Sequence, residues 1–536
     1  MTTALGPKPR VTISQETTYL LGPLRADGYV DYVGALNAEL GRGVTPENNA
    51  AVPLLAAVGP HGMPEKQREA FCEALGMPVP PEQGDYFAPF SDHVDGQLRS
   101  AEERAAAPLG SDESVKSDRF RKEWNDADSQ LTQSLTRPWS EDDLPAIAGW
   151  LAANREPLRL IEEAASRPRW YLPLVPWRDP PMLASLDHLP ILQPTADAAR
   201  LLRARAMHRV GGGRLDEAWR DLQACHRLAR HIARGPLLLA GFYPIPIEHM
   251  ALRGGAAVAH HGNPTAAEIG QMRADLAALP PLPKVADRID HGERFYSLDA
   301  VSTLARKGLP QIREFIGAAF TADKPRDPAE EASLARLDAT IDWDEPLRVL
   351  NHWYDRLAAA ARRPSRAERL AAMGDCGKDM RLLPAVSWEP ESIVQQCVKK
   401  MPGREPSRWV ADVLCAVLLT GVGRAALDIE DRTATEATLV DIALALAAYR
   451  ADHGKYPERL ADLRPRYRTE IKDPFSDGDL IYRPKGEGFL LYSVGPNGKD
   501  DGGRNRVDFL LDPSPPAGHE QWDDIAIHMP VRPPKH

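Results

Sequence analysis

The chain has 536 residues, 43% of them apolar and 26% charged, a balance that excludes wholesale disorder and a multi-span membrane protein and, at roughly 150 residues per domain, gives about three domains. Its 66 basic and 76 acidic residues leave a net charge of −10, so it has no general attraction for a polyphosphate backbone, and nucleic acid is not an expected partner. The five cysteines, Cys72, Cys225, Cys376, Cys397 and Cys415, form no CxxC pair, which argues against a zinc knuckle or a disulfide framework and reads them as buried small hydrophobes.

"MTTALGPKPRVTIS" lacks the apolar run of a secretory signal, so a cytoplasmic setting is expected, with envelope association as the alternative. Residues 1–137 read as an N-terminal region of short helices broken by proline. In it, "GYVDYVGALNAELGRG" places Val30, Val33 and Leu36 at helical spacing before Gly41 and Gly43. Thr45 and Pro46 have the signature of a helix start, and Pro53 should kink or end that helix. "AEERAAAPLGSDESVKSDRFRKEW" reads as a connector and an exposed helix.

Residues 138–406 read as a helical body. "AARLLRARAMHRVGGGRLDEAWRDLQACHRLARHIARG" gives two amphipathic helices joined by Gly211, Gly212 and Gly213, a tetratricopeptide-like pair near 198–234. Its second helix carries Leu215, Ala218, Leu222, Cys225 and Leu228 on one face and needs a partner. A single copy has no period, so a helical array is expected rather than a solenoid.

Farther along, "LPKVADRIDHGERFYSLDA" is the candidate catalytic stretch. Asp287 and His291 stand one helical turn apart with Glu293 beside them. A histidine held by a carboxylate can act as a general base, or the group can bind a metal with Glu248, His249, His260 or His261. The competing reading is solvated charge pairs on a helix face, and no GxSxG, HExxH or Walker loop accompanies them. In "WDEPLRVLNHWYDRL", Trp343, Leu347, Leu350 and Tyr354 recur at helical spacing and read as core.

The character changes at residue 407. Residues 407–456 contain no proline, and an unbroken helix of that length would run to roughly 75 Å. Gly421 and Gly423 are where it should bend or divide. The apolar stretch 413–422 is too short for a bilayer and reads as a buried core helix, and Leu439, Ile442, Leu446 and Tyr449 then form one stripe ending near Gly454. "YPERLADLRPRY" is a short helical turn and "DLIYRPKGEGFLLYSVG" a β-hairpin. The expected fold is mainly α: a helical array, then a long helix and a small antiparallel sheet in an α+β C-terminal module, residues 407–536.

"IALALAAYRADHGKYPERLADL", "IKDPFSDGDLIYRPKGEGFLLYSVGPNGKDDGG" and "DDIAI", in that order, resemble the C-terminal globular domain of the major pseudopilin of type II secretion. The rest of the chain resembles bacterial proteins of undefined activity that carry such a tail. The resemblance implies a pseudopilin-like module, a link to the cell envelope or secretion, and a calcium loop in which Asn497 occupies an aspartate ligand position and Asp523 and Asp524 the closing pair. The chain departs from the family in its neutral Asn497, in the inserted "RNRVDFLLDPSPPAGHEQW" and in lacking the family's N-terminal cleavage motif.

The residues themselves offer matching chemistry. Asn497, Asp500, Asp501, Asp508, Asp523 and Asp524 supply hard oxygens, and Gly495, Gly498, Gly502 and Gly503 supply turns. A solvated turn is the alternative. An EF-hand fails at Lys499 and for want of flanking helices, and a phosphate loop fails because GK[ST] is missing and paired aspartates repel an anion. The expectation is a non-enzymatic binding or scaffold protein with a calcium-stabilised tail and protein partners, with no clear transmembrane segment to support membrane association. A hydrolase or other enzyme acting through Asp287, His291 and Glu293 is the alternative.

Overall fold

Helices dominate wherever apolar residues recur every three or four positions, and the computed structural model describes residues 9–105, 113–176, 182–183, 190–238, 241–312, 328–386, 390–398, 405–419, 423–468, 470–506 and 518–531. The glycine-linked pair forms helices Leu192–Gly211 and Leu215–Ile232, turning at Gly213 with φ +70°. Ala218, Leu222, Cys225 and Leu228 are fully buried, as their shared face requires. Their partner is the helix Pro244–His261, which lies against both members of the pair. Gly254 allows that approach, since a Cβ there would sit 2.6 Å from Leu222 Cδ2. This sheaf and residues 50–94 share one core with Trp139, Trp150 and Ile161.

A second core joins distant parts of the chain. Tyr29, Tyr32, Val33 and Leu36 pack with Phe295, Leu298, Trp343, Leu347, Leu350 and Tyr354. The sequence-expected core residues of "WDEPLRVLNHWYDRL" all lie here, in helix Asp344–Ala361 or just before it. Polar bonds seal the junction: Arg10 Nη1 donates to Asp338 Oδ2 at 2.8 Å, Thr12 N to Asp344 Oδ1 at 2.7 Å, and Asn351 Nδ2 to Thr17 O at 2.7 Å. Residues 9–36, expected within an N-terminal region ending at 137, are thus anchored on helices Arg294–Lys307 and Asp344–Ala361.

One expected helix start moves. Thr45 and Pro46 begin a turn in which Thr45 N bonds Asn48 Oδ1 at 2.9 Å, and the helix runs Ala51–Val58. Pro53 neither kinks nor ends it, because it sits in the first turn, where no intrahelical donor is required. All five cysteines are buried and free.

The proline-free stretch divides as its glycines suggested, into helices Pro406–Leu418 and Arg424–His453. The first buries Trp409 to Leu418 almost entirely and is a core helix. The second, the long helix, spans about 45 Å and ends on Gly454 with φ +78°. Among the described residues, no helix is long and apolar enough to cross a membrane.

Beyond the long helix, strands β1 (Ile481–Lys485), β2 (Gly488–Ser493) and β3 (Ile525–Met529) form an antiparallel sheet in that order. Leu491 pairs with Tyr482 on one side and Ile527 on the other. Phe489, Leu491, Ile525 and Ile527 pack on Leu439, Ile442 and Leu446 of the long helix and on Tyr456, Leu460 and Leu463. Leu252 and Ala256 of the Pro244–His261 helix belong to the same core. The long helix therefore has sheet on one side and body on another.

Candidate functional site

The "DPF" turn anchors the end of the hairpin. Asp473 is buried and accepts from Ser493 Oγ at 2.6 Å, Val494 N at 3.0 Å and Phe475 N at 2.9 Å. Nothing in the sequence singled it out beyond the turn itself. At the far end of β2 the chain enters the acidic loop through Gly495, whose φ is +64° and whose added Cβ would meet Asp523 O at 2.0 Å.

The two halves of the loop do meet. Asp524 Oδ2 accepts from Gly503 N at 2.7 Å and Asp501 N at 3.1 Å. Asp501 Oδ2 accepts from Asp523 N at 2.9 Å and Asn497 Nδ2 at 2.8 Å, and that amide also donates to Gln521 O at 2.7 Å. Asn497 Oδ1 turns back to Lys499 N at 2.8 Å. Asp500 and Asp523 face elsewhere. Asp500 Oδ1 accepts from Tyr492 OH at 2.8 Å and Gly502 N at 2.9 Å, and the Asp523 carboxylate pairs with Arg432 on the long helix. Asp508 lies outside the described residues. Among the described residues, no three His, Cys, Asp or Glu side chains gather where they could hold one ion.

Asp524 is the electrostatic focus of this loop. Burial pushes its carboxyl up to about 6, and Asp501 and Asp500 push the same way against the amides of Gly503 and Asp501. A divalent cation beside Asp524 and Asp501 would relieve that repulsion.

Asp287, His291 and Glu293 do not line one pocket. Residues Ile289–Glu293 form a π-turn, which changes the phase between Asp287 and Glu293. Its inward side is set by Gly292, where a Cβ would lie 2.0 Å from Pro236 O. Asp287 is 63% exposed and reaches Arg362 at 3.5 Å, and His291 is exposed beside Phe295. Glu293 turns inward and accepts from Leu238 N at 2.7 Å, and burial raises its carboxyl. The other suggested ligands also disperse. Glu248 meets His226 Nδ1 at 3.0 Å, His249 faces Glu436, and His260 Nδ1 lies 2.9 Å from Tyr456 OH.

Sequence reasoning missed a cleft of about 240 Å³ between the Leu215–Ile232 and Pro244–His261 helices, residues 281–288 and the long helix. Leu238, Phe242, Ile245, Val285 and Ile429 give it apolar walls, and Glu248 lies in its lining. Burial raises the Glu248 carboxyl, but His226 and Arg230, the latter at 2.7 Å, outweigh it and hold the group low. The cleft suits a ligand with an apolar body. Its walls come from four separate segments, and the one sequence signal was a glutamate inside the apolar run "PIPIEHMALRGG". No protein-family model, curated protein or solved structure matches the chain.

Proposed function

We propose that the chain is a non-enzymatic binding or scaffold protein: a helical body that engages protein partners and carries a pseudopilin-like α+β module stabilised by calcium, in a setting linked to the cell envelope or secretion. One observation carries the reading. Asp501 meets Asp523 and Asp524 across the loop, Asn497 reaches the same strand end at Gln521 O, and burial, with Asp501 and Asp500 nearby, drives the Asp524 carboxyl up to about 6. Asp501 and Asp524 would hold the ion, with backbone carbonyls of the glycine-rich loop completing its oxygens. Calcium would supply the charge that lets the carboxylates stay ionised, converting binding into stability. The dispersal of Asp287, His291 and Glu293 leaves an enzymatic reading through them without support.

The test is the melting temperature of the full chain in calcium and in chelator, because the module shares its core with the body. Calcium at about a hundred times its dissociation constant should add about 2.7 kcal/mol, and Asp523→Ala with Asp524→Ala should abolish the rise. An unmoved melting temperature in the natural chain would end the proposal.

A further inference from the structure

A second recess, about 300 Å³, shares Arg230 with the apolar cleft and lies between the Leu215–Ile232 helix and the ends of helices Arg155–Ser166 and Ala266–Ala277. Its lining is basic: Arg167, Arg227, Arg230 and Arg234 contribute to it, against the single carboxylate of Asp275. Several of these charges are already committed. Arg167 pairs with Glu163 at 2.6 Å, and Arg230 pairs with Glu248 at 2.7 Å. Asp275 accepts from Trp219 Nε1 at 2.8 Å, Gln223 Nε2 at 2.7 Å and Gln271 Nε2 at 2.8 Å.

Arg227 and Arg234 remain. Neither has a carboxylate partner among the described residues, and Arg234 makes one long contact, 3.4 Å to Pro168 O. Arg227 and His231 stand one turn apart on the Leu215–Ile232 helix, and Arg234 follows just past its C-cap, all three lining the recess. His231 lines the recess, is 5% exposed, and its Nδ1 has no hydrogen-bond partner. Its ring stacks on Trp170, and burial, then Arg234 and Arg227, push that imidazole down to about 4 against a pull upward from the Arg167 backbone.

Arginines at a helix C-terminus ordinarily answer its exposed carbonyls. At this end Arg288 donates to the C-cap carbonyl of Ala233 and, just beyond the helix, to Gly235 O at 2.6 Å and Leu237 O at 3.1 Å. Arg227 and Arg234 thus have no ion-pair partner within the described chain, in a recess where arginines outnumber the one carboxylate of Asp275. Forked guanidinium donors match tetrahedral oxyanions.

We infer that this recess binds a phosphate-bearing small molecule through Arg227 and Arg234. The experiment is calorimetric titration of the full chain with inorganic phosphate, pyrophosphate and succinate, in calcium-free buffer so that the module loop plays no part. Saturable binding of phosphate or pyrophosphate is expected, weakened about tenfold or more in Arg227→Gln/Arg234→Gln, the cost of one or more charged hydrogen bonds. Arg348→Gln, which removes one positive charge from a helix face elsewhere and so matches Arg227→Gln, should bind as the natural chain does. If Arg234→Gln fails to fold, exposed Arg227→Gln alone should still weaken binding. The inference is overturned if neither phosphate compound saturates, if succinate binds in preference, or if Arg348→Gln loses as much as the double variant.

Discussion

Glu436 is a charge that the interior holds at a cost and puts to structural use. Burial raises its carboxyl, but Arg253 and His249 outweigh that and hold it down to about 2. Arg253 Nε lies 2.7 Å from Oε1, and His249 Nε2 is in ion-pair contact with Oε2 at 2.8 Å, without hydrogen-bond alignment. Both partners sit on the Pro244–His261 helix, so the cluster ties the long helix to the body. Because the folded value lies below the unfolded one, this stabilisation is present above about 4.5 and fades as pH falls toward 2. Arg253 is half exposed, so Glu436→Gln should cost about 1–3 kcal/mol in urea unfolding at neutral pH.

His260 behaves in the opposite chemical sense with the same direction in pH. Burial, His261 and Arg450 hold it near 4, so its neutral form is favoured in the folded chain, and stability falls as pH drops from 6.5 toward 4. His260→Gln should remove part of that acid loss, about 1 kcal/mol after solvent screening of this half-buried ring, in unfolding measured across this window. Asp524 has the contrary slope. Its raised carboxyl makes the calcium-free fold lose stability as pH rises from about 4 through about 6. Asp524→Asn should flatten that component, which the difference between the two melting curves against pH isolates.

At the scale of elements, close approaches decide more than propensities. A Cβ at Gly488 would meet Met529 O at 1.9 Å, backbone that cannot swing aside. Gly488→Val should therefore disturb the β2–β3 pairing and lower stability by about 1–3 kcal/mol, with loss of amide protection in residues 525–529 as the check.

Such contacts also explain what could be foreseen. The Leu215–Ile232 helix, the split near Gly423 and the hairpin around Gly486 were legible because periodicity and turn chemistry are local. The approach of the 497–503 loop to Asp523 and Asp524 was not legible from local pattern, since the residues between them carry no register signal. The inward turn of Glu293 was not legible: a π-turn has the same composition as an α-turn, and its cause is a chain segment more than fifty residues upstream, at Pro236. The two recesses beside Arg230 were hidden for the same reason, each being assembled from segments that look ordinary alone.

Over the whole molecule, the long helix belongs to the sheet and the body at once, with Leu252 and Ala256 from the body completing the module's core. A piece comprising 424–536 alone should thus retain helical far-ultraviolet signal yet bind hydrophobic dye and melt without a sharp transition, whereas the full chain melts cooperatively.

The anchoring of residues 9–36 on helices hundreds of positions downstream has a consequence for biosynthesis. Arg10 and Thr12 leave the ribosome long before Asp338 and Asp344 exist to receive them. At roughly 5–20 residues per second that interval is about 20–70 s. Tyr29, Tyr32 and Leu36 spend it uncovered, a ready target for chaperones that guard nascent chains.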